Sequence, residues 1–156
     1  MGIMSFSAEP IPHVMELLEK YYKGGSVLDF GCGTGRYVDC FDRRGYLGVD
    51  GFDTNIDYCK KQWPDREFIL ADLETWKPPV YDRFVSGTSE EEQKFDYLFS
   101  SVSMEQLDKL PMNWAKTYIL VEPIGFKHNY IDIYKPQEVI GLRGAEDVLK
   151  FMVSNV

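Results

Sequence analysis

The chain has 156 residues, 44% of them hydrophobic and 15% aromatic, which suits one domain with its own core and is too short for two ordinary ones. Its net charge of −8 disfavours a nucleic-acid partner, because phosphate neutralisation draws on a basic surface and the longest basic runs are Arg43-Arg44 and Lys60-Lys61. No apolar run approaches the roughly 20 residues that a bilayer span needs, so no membrane association is expected. Three cysteines, Cys32, Cys40 and Cys59, lack C-x-x-C spacing and read as reduced thiols rather than as a disulfide framework or a zinc site. The opening MGIMSFSAEPIPHV has no basic segment followed by a long apolar one, so a cytoplasmic location is expected.

In chain order, residues 10–22 have Val14, Leu17, Leu18 and Tyr21 at helical spacing, with Pro12 at the start and Lys23-Gly24-Gly25 as the stop. His13 lies on this helix, either as a surface residue or near a substrate. A first strand covers about 26–30 and runs into Gly31-Cys32-Gly33-Thr34-Gly35. A helix is expected from 34 to about 43, with Tyr37, Val38 and Phe41 as its apolar face and Arg43-Arg44-Gly45 as its end. The second strand, 46–50, closes on Asp50, 21 residues after Asp29. Asp53 is placed to cap a helix over 54–62, which Trp63-Pro64 ends.

A third strand spans 67–71 and Asp72-Leu73 follow it. Residues 74–94, with Pro78-Pro79 and Glu90-Glu91-Glu92, read as a solvated acidic loop or a substrate lid. The fourth strand is 95–100, followed by a helix that Ser103 would cap and Leu110-Pro111 would close. The fifth is 117–121, and Glu122 ends it as either a solvated carboxylate or a substrate contact. Beyond it, 129–134 suggests a strand and 145–153 an amphipathic helix with Val148, Leu149, Met152 and Val153. Strands alternating with helices imply a parallel sheet with crossover helices.

Gly31, Gly33 and Gly35 give the spacing G-x-G-x-G. The dinucleotide fingerprint is G-x-G-x-x-G, and Arg36 occupies the place of its third glycine. The full D-x-G-x-G-x-G, with Asp29 two places before the first glycine, resembles motif I of class I S-adenosylmethionine (SAM) methyltransferases. Phe95-Asp96-Tyr97-Leu98-Phe99-Ser100 and the residues after it resemble the strand-four segment of the small-molecule members, with Gln106 where many have His. That departure leaves no assignable catalytic residue. The likeness covers roughly residues 25–122.

The resemblance implies an α/β, Rossmann-like three-layer sandwich with a mostly parallel sheet, as one SAM-binding domain over 1–156. The C-terminal part looks shortened, with part of the usual antiparallel pair missing or rebuilt. The exposed sheet edge would then want cover, for which a second copy is one candidate. It implies SAM as cofactor and no metal. Gly31 and Gly33 would lie against the methionine part and Asp29 near its amino group. Asp50 would hold the ribose hydroxyls, a strand-end aspartate otherwise being a turn or cap residue. Phe52 would pack on the adenine face or sit in the core. Asp72 and Leu73 would meet the adenine, and Ser100 would line the sulfonium side. The implied reaction is in-line methyl transfer to a small-molecule acceptor, the alternative being a non-catalytic SAM-fold module or partner subunit.

Overall fold

Side chains alternate between the two faces of a strand, so the apolar pattern of each strand decides what its sheet must carry on either side. The computed structural model describes residues 9–78, 94–101, 114–123, 138–143 and 148–155. The expectations for 79–93, 102–113 and 124–137, including Ser103, Gln106, the acidic run and the strand at 129–134, lie outside the described residues. The elements are α1 (Pro12–Tyr21), β1 (Val27–Phe30), β2 (Tyr46–Asp50), α2 (Asp53–Gln62), β3 (Glu67–Leu70), β4 (Phe95–Ser101), β5 (Ala115–Pro123), β6 (Glu138–Arg143) and β7 (Val148–Asn155).

The strands form one sheet in the order β3-β2-β1-β4-β5-β7-β6. β1 runs parallel to β2 and β4, β2 to β3, and β4 to β5, while β7 is antiparallel to both β5 and β6. The chain winds outward from β1 to β3 on one side, then returns to β4 and β5 on the other. The change of direction falls between β1 and β4, and in open α/β sheets the crevice at such a point takes the ligand.

Val27 points to one face, packed with Val14, Leu17 and Leu18 of α1, Ile56 and Cys59 of α2, and Phe68, Phe99 and Ile119. Leu28 and Phe30 point to the other, with Leu47, Val49, Leu98, Tyr118 and Leu120, where Leu73, Trp76 and Trp114 pack on them. Burial of each such side chain is worth roughly 1.5–3 kcal/mol, so the strands are fixed in register by both faces at once. At the edge opposite the site, the Asp96 carboxylate accepts from the Ser26 amide at 3.0 Å, and Ser26 Oγ in turn accepts from the Asp96 amide at 2.9 Å. This pair joins the starts of β1 and β4.

Three expectations need correction. The helix over 34–43 does not form; the stretch is a run of turns with a short 3-10 segment at Val38–Cys40. Gly31, Gly33 and Gly35 all have positive φ, and Trp63 fills the place that a Gly35 side chain would take. The carbonyls of Val38 and Phe41 accept from Arg66 Nη1 at 2.7 and 2.9 Å, and the Val38 carbonyl takes the Phe41 amide at 3.2 Å, a 3-10 bond rather than an α-helical one. The Asp42 amide donates to Tyr22 Oη at 3.1 Å rather than back along a helix.

The expected helix at 145–153 is, over its described residues from Val148 on, strand β7. Its apolar residues fit helical spacing, but a strand with partners on both sides also reads as a continuous apolar run. β7 pairs with β5 from Thr117↔Asn155 to Pro123↔Leu149, so the antiparallel pair is present and β5 is covered within the chain. The ground for expecting a second copy there falls away. Finally, Phe52 rather than Asp53 is the N-cap of α2, without a side-chain cap bond, and Asp53 sits inside the first turn where its charge favours the helix dipole.

Candidate functional site

β1 ends at Phe30 and the chain turns back at once. The Gly31 and Cys32 amides donate to the Val49 carbonyl at 2.8 and 3.0 Å, which lays the turn across the end of β2. Gly33 has φ +58, and nothing lies within 4 Å of where its Cβ would be. The loop therefore offers bare backbone to open space, as close approach of a ligand requires. Its carbonyl faces inward and accepts from the Cys59 thiol at 3.4 Å, with Cys32 Sγ at 3.8 Å. The Cys32 thiol is pushed up by its bond with Cys59, then by burial, so it is a protonated packing group rather than a nucleophile.

Asp50 closes β2 beside this turn and is only 6% exposed. Its Oδ1 accepts from the Gly33 amide at 3.2 Å. Its Oδ2 accepts from the Phe52 amide at 3.2 Å and from Asn55 Nδ2 at 3.0 Å. The glycine turn and the strand-end carboxylate, read separately from the sequence, are thus one hydrogen-bonded unit at the carboxyl edge of the sheet.

Asp29 lies one layer deeper and is 3% exposed. Its Oδ2 accepts from Tyr46 Oη at 2.6 Å. Burial raises its pKa to about 7, the Tyr46 bond lowers it, and the Asp50 charge raises it. The Tyr46 hydroxyl is itself pushed up, first by burial and then by Asp29.

The remaining sequence-derived residues spread along the same edge. Phe52 is 54% exposed, which removes the core alternative for its ring. Asp72 is exposed and its Oδ1 accepts from the Glu74 amide at 2.9 Å, closing the turn after β3. Leu73 packs its side chain into the second core. Ser100, at the end of β4, is fully buried with no partner for its hydroxyl among the described residues. His13 and Glu122 fall in α1 and at the end of β5.

Four further residues build the site without having been read from the sequence. Tyr46 holds Asp29, and Asn55 holds Asp50. Trp63 packs against Gly35 and donates from Nε1 to Asp39 Oδ1 at 2.9 Å, while Arg66 holds the 38–41 carbonyls. A signal existed for Asn55: it stands four residues before Cys59, on the buried face of α2. Tyr37 adds a link to α1, accepting from the Ile11 amide at 3.2 Å, with its ring edge on Phe99 at 5.3 Å.

An open, mainly parallel sheet with a glycine turn and an acidic strand end flanking its switch point defines a Rossmann-like α/β domain. Residues 7–126 match the methyltransferase-domain family, and the chain belongs to it. A trans-aconitate 2-methyltransferase of Escherichia coli is 23% identical over 174 aligned positions, covering 94% of this chain. The chain spans 64% of the length of that relative. Among solved structures, TehB from Haemophilus influenzae superposes with a TM-score of 0.64 at 14% identity, covering 93% of this chain and 62% of that one. Magnesium protoporphyrin IX methyltransferase from Synechocystis, solved with bound SAM, superposes with a TM-score of 0.62 at 14% identity, covering 91% and 76%.

Proposed function

We propose that this chain, as one domain, is a SAM-dependent methyltransferase that acts on a small-molecule acceptor. The observation that carries the reading is the bond from the Gly33 amide to Asp50 Oδ1, which joins the bare glycine turn to an acidic strand end at the switch point. The residues suit the cofactor chemically. Gly33 leaves room for the methionine part, Gly31 turns the backbone just before it, and Asp29 would supply a carboxylate for the amino group. Asp50 would hold the ribose. Phe52 offers an exposed ring to the adenine, and Asp72 with Leu73 borders the same end. Ser100, whose hydroxyl has no partner among the described residues, would line the β4 side.

SAM, when bound, supplies a methyl group on a positively charged sulfur that any aligned acceptor lone pair displaces. The chain therefore needs to orient the acceptor and exclude water, and it needs a base only where the acceptor carries a proton at neutral pH. This accounts for a site whose described residues hold no catalytic triad.

The name of the Escherichia coli relative makes trans-aconitate and other small polycarboxylates the first acceptors to test. The net charge of −8 speaks against a nucleic-acid acceptor, and no helix among the described residues is long and apolar enough to cross a membrane. A cytoplasmic setting fits the three free thiols. Titration calorimetry with SAM and with S-adenosylhomocysteine is expected to give saturable binding of both. No heat from either at millimolar concentration would sink the reading. Release of S-adenosylhomocysteine on adding an acceptor would then distinguish an enzyme from a binding module.

A further inference from the structure

A carboxylate has about four acceptor positions. On Asp50 three are occupied by the protein itself: one on Oδ1 by the Gly33 amide, and two on Oδ2 by the Phe52 amide and Asn55 Nδ2. The two backbone amides belong to the turn and the helix entry, and every residue type but proline would supply them. Asn55 is different. Its side chain was not needed to start α2, which has no side-chain cap.

It is 4% exposed, and its Oδ1 is buried without a partner among the described residues. The orientation of the amide is forced, since the reverse placement would set its oxygen against the Asp50 carboxylate. An interior position that leaves an amide oxygen unsatisfied is costly to the fold. An apolar residue there would extend the packing of Ile56 and Cys59, so what Asn55 gives in return is its bond to Asp50.

We propose that Asn55 is a positioning residue that restricts Asp50 to a single ribose hydroxyl, accepted on Oδ1. The proposal rests on the reading of Asp50 as the ribose acceptor. A strand-end aspartate with both oxygens free can take the 2′ and the 3′ hydroxyl together. In this chain Oδ2 is closed by two donors, and Oδ1 keeps one position beside the Gly33 amide. The ribose is then read unequally, with one hydroxyl engaged by a charged acceptor and the other not.

The test compares binding of S-adenosylhomocysteine with that of its 2′-deoxy and 3′-deoxy forms by calorimetry. In the wild-type chain, one deoxy form should bind roughly tenfold or more weakly and the other within about threefold of the parent, the first being the loss expected of a hydrogen bond to a charged group. In Asn55→Leu, where Oδ2 has an open position, the two deoxy forms should lose affinity to within about threefold of each other. Asn55→Ala should behave alike and guards against a packing effect of leucine. Each ratio is taken within one preparation, so any unfolded fraction cancels. Equal losses in the wild-type chain, or unequal losses that persist in both variants, would overturn the proposal. If the parent binds and neither deoxy form loses affinity in the wild-type chain, the assignment of Asp50 to the ribose is itself wrong.

Discussion

Asp29 sits where a protein interior least tolerates a carboxylate, and the consequence can be measured. Its pKa rises from 3.8 to about 7, with burial as the main cause. Between those values the folded chain keeps a proton that the unfolded chain releases. Its contribution to stability is therefore full below about pH 4 and is lost as pH rises through 7. Asp29→Asn removes this slope, and Asn can still accept from Tyr46. The variant should gain on the wild type by an amount of the order of 1 kcal/mol between pH 5 and pH 8, read from urea unfolding at each pH. A pH-independent difference would contradict the assignment. Under the proposed function the same variant binds SAM more weakly at pH 8, because the charge facing the amino group is gone.

Asp29 and Asp50 were legible because a strand end and a fixed spacing are properties of a line of residues. Tyr46 and Asn55 were not. Their value lies in what they touch, and Tyr46 reaches Asp29 across 17 positions.

At the scale of elements, the segment after the glycine turn is the clearest departure. Tyr37, Val38 and Phe41 do face the core as a helix would have them, and all three are buried. The apolar spacing was thus read correctly, but the backbone that carries it was not. Positive φ at Gly35 blocks the first turn of a helix begun at 34, and Arg66 binds the carbonyls of Val38 and Phe41. Its guanidinium also lies over the Tyr46 ring at 5.6 Å. Arg66→Ala should cost roughly 2–4 kcal/mol, since two inward carbonyls lose a charged donor. Arg66→Lys should recover only part of this, because one ammonium nitrogen can donate to both carbonyls but loses the planar guanidinium contact over the Tyr46 ring. Denaturant midpoints for the three chains check both statements. The exposed pair of Arg43 and Asp65 at 3.4 Å should matter far less.

Over the whole molecule, the parallel half of the sheet was readable and the antiparallel end was not. Strands β1 to β5 each announce themselves by short apolar runs between turn signals. Residues 148–155 satisfy a helical and a buried-strand pattern equally, and only the free edge of β5 decides between them. A proline in that strand tests the outcome. Met152 pairs with Leu120 on one side and Val139 on the other. Met152→Pro removes a ladder bond in a strand flanked on both sides, at about 3 kcal/mol or more. It should lower the melting temperature sharply and promote association through β5. An unchanged melting temperature would contradict a strand paired on both sides.

The corner formed by Trp63 and Arg66 has a consequence for how the chain reaches its native state. The glycine turn has no helix of its own to hold it. The segment behind it, from Val38 to Phe41, takes its shape from bonds spanning 24 to 28 positions, made by residues that lie beyond α2. Such a loop gains order only after its distant partners have docked, and closing that span costs chain entropy before any contact repays it. The segment behind the glycine turn is therefore expected to be among the last parts completed in folding. It is also among the first to open when the corner between α2 and β3 loosens.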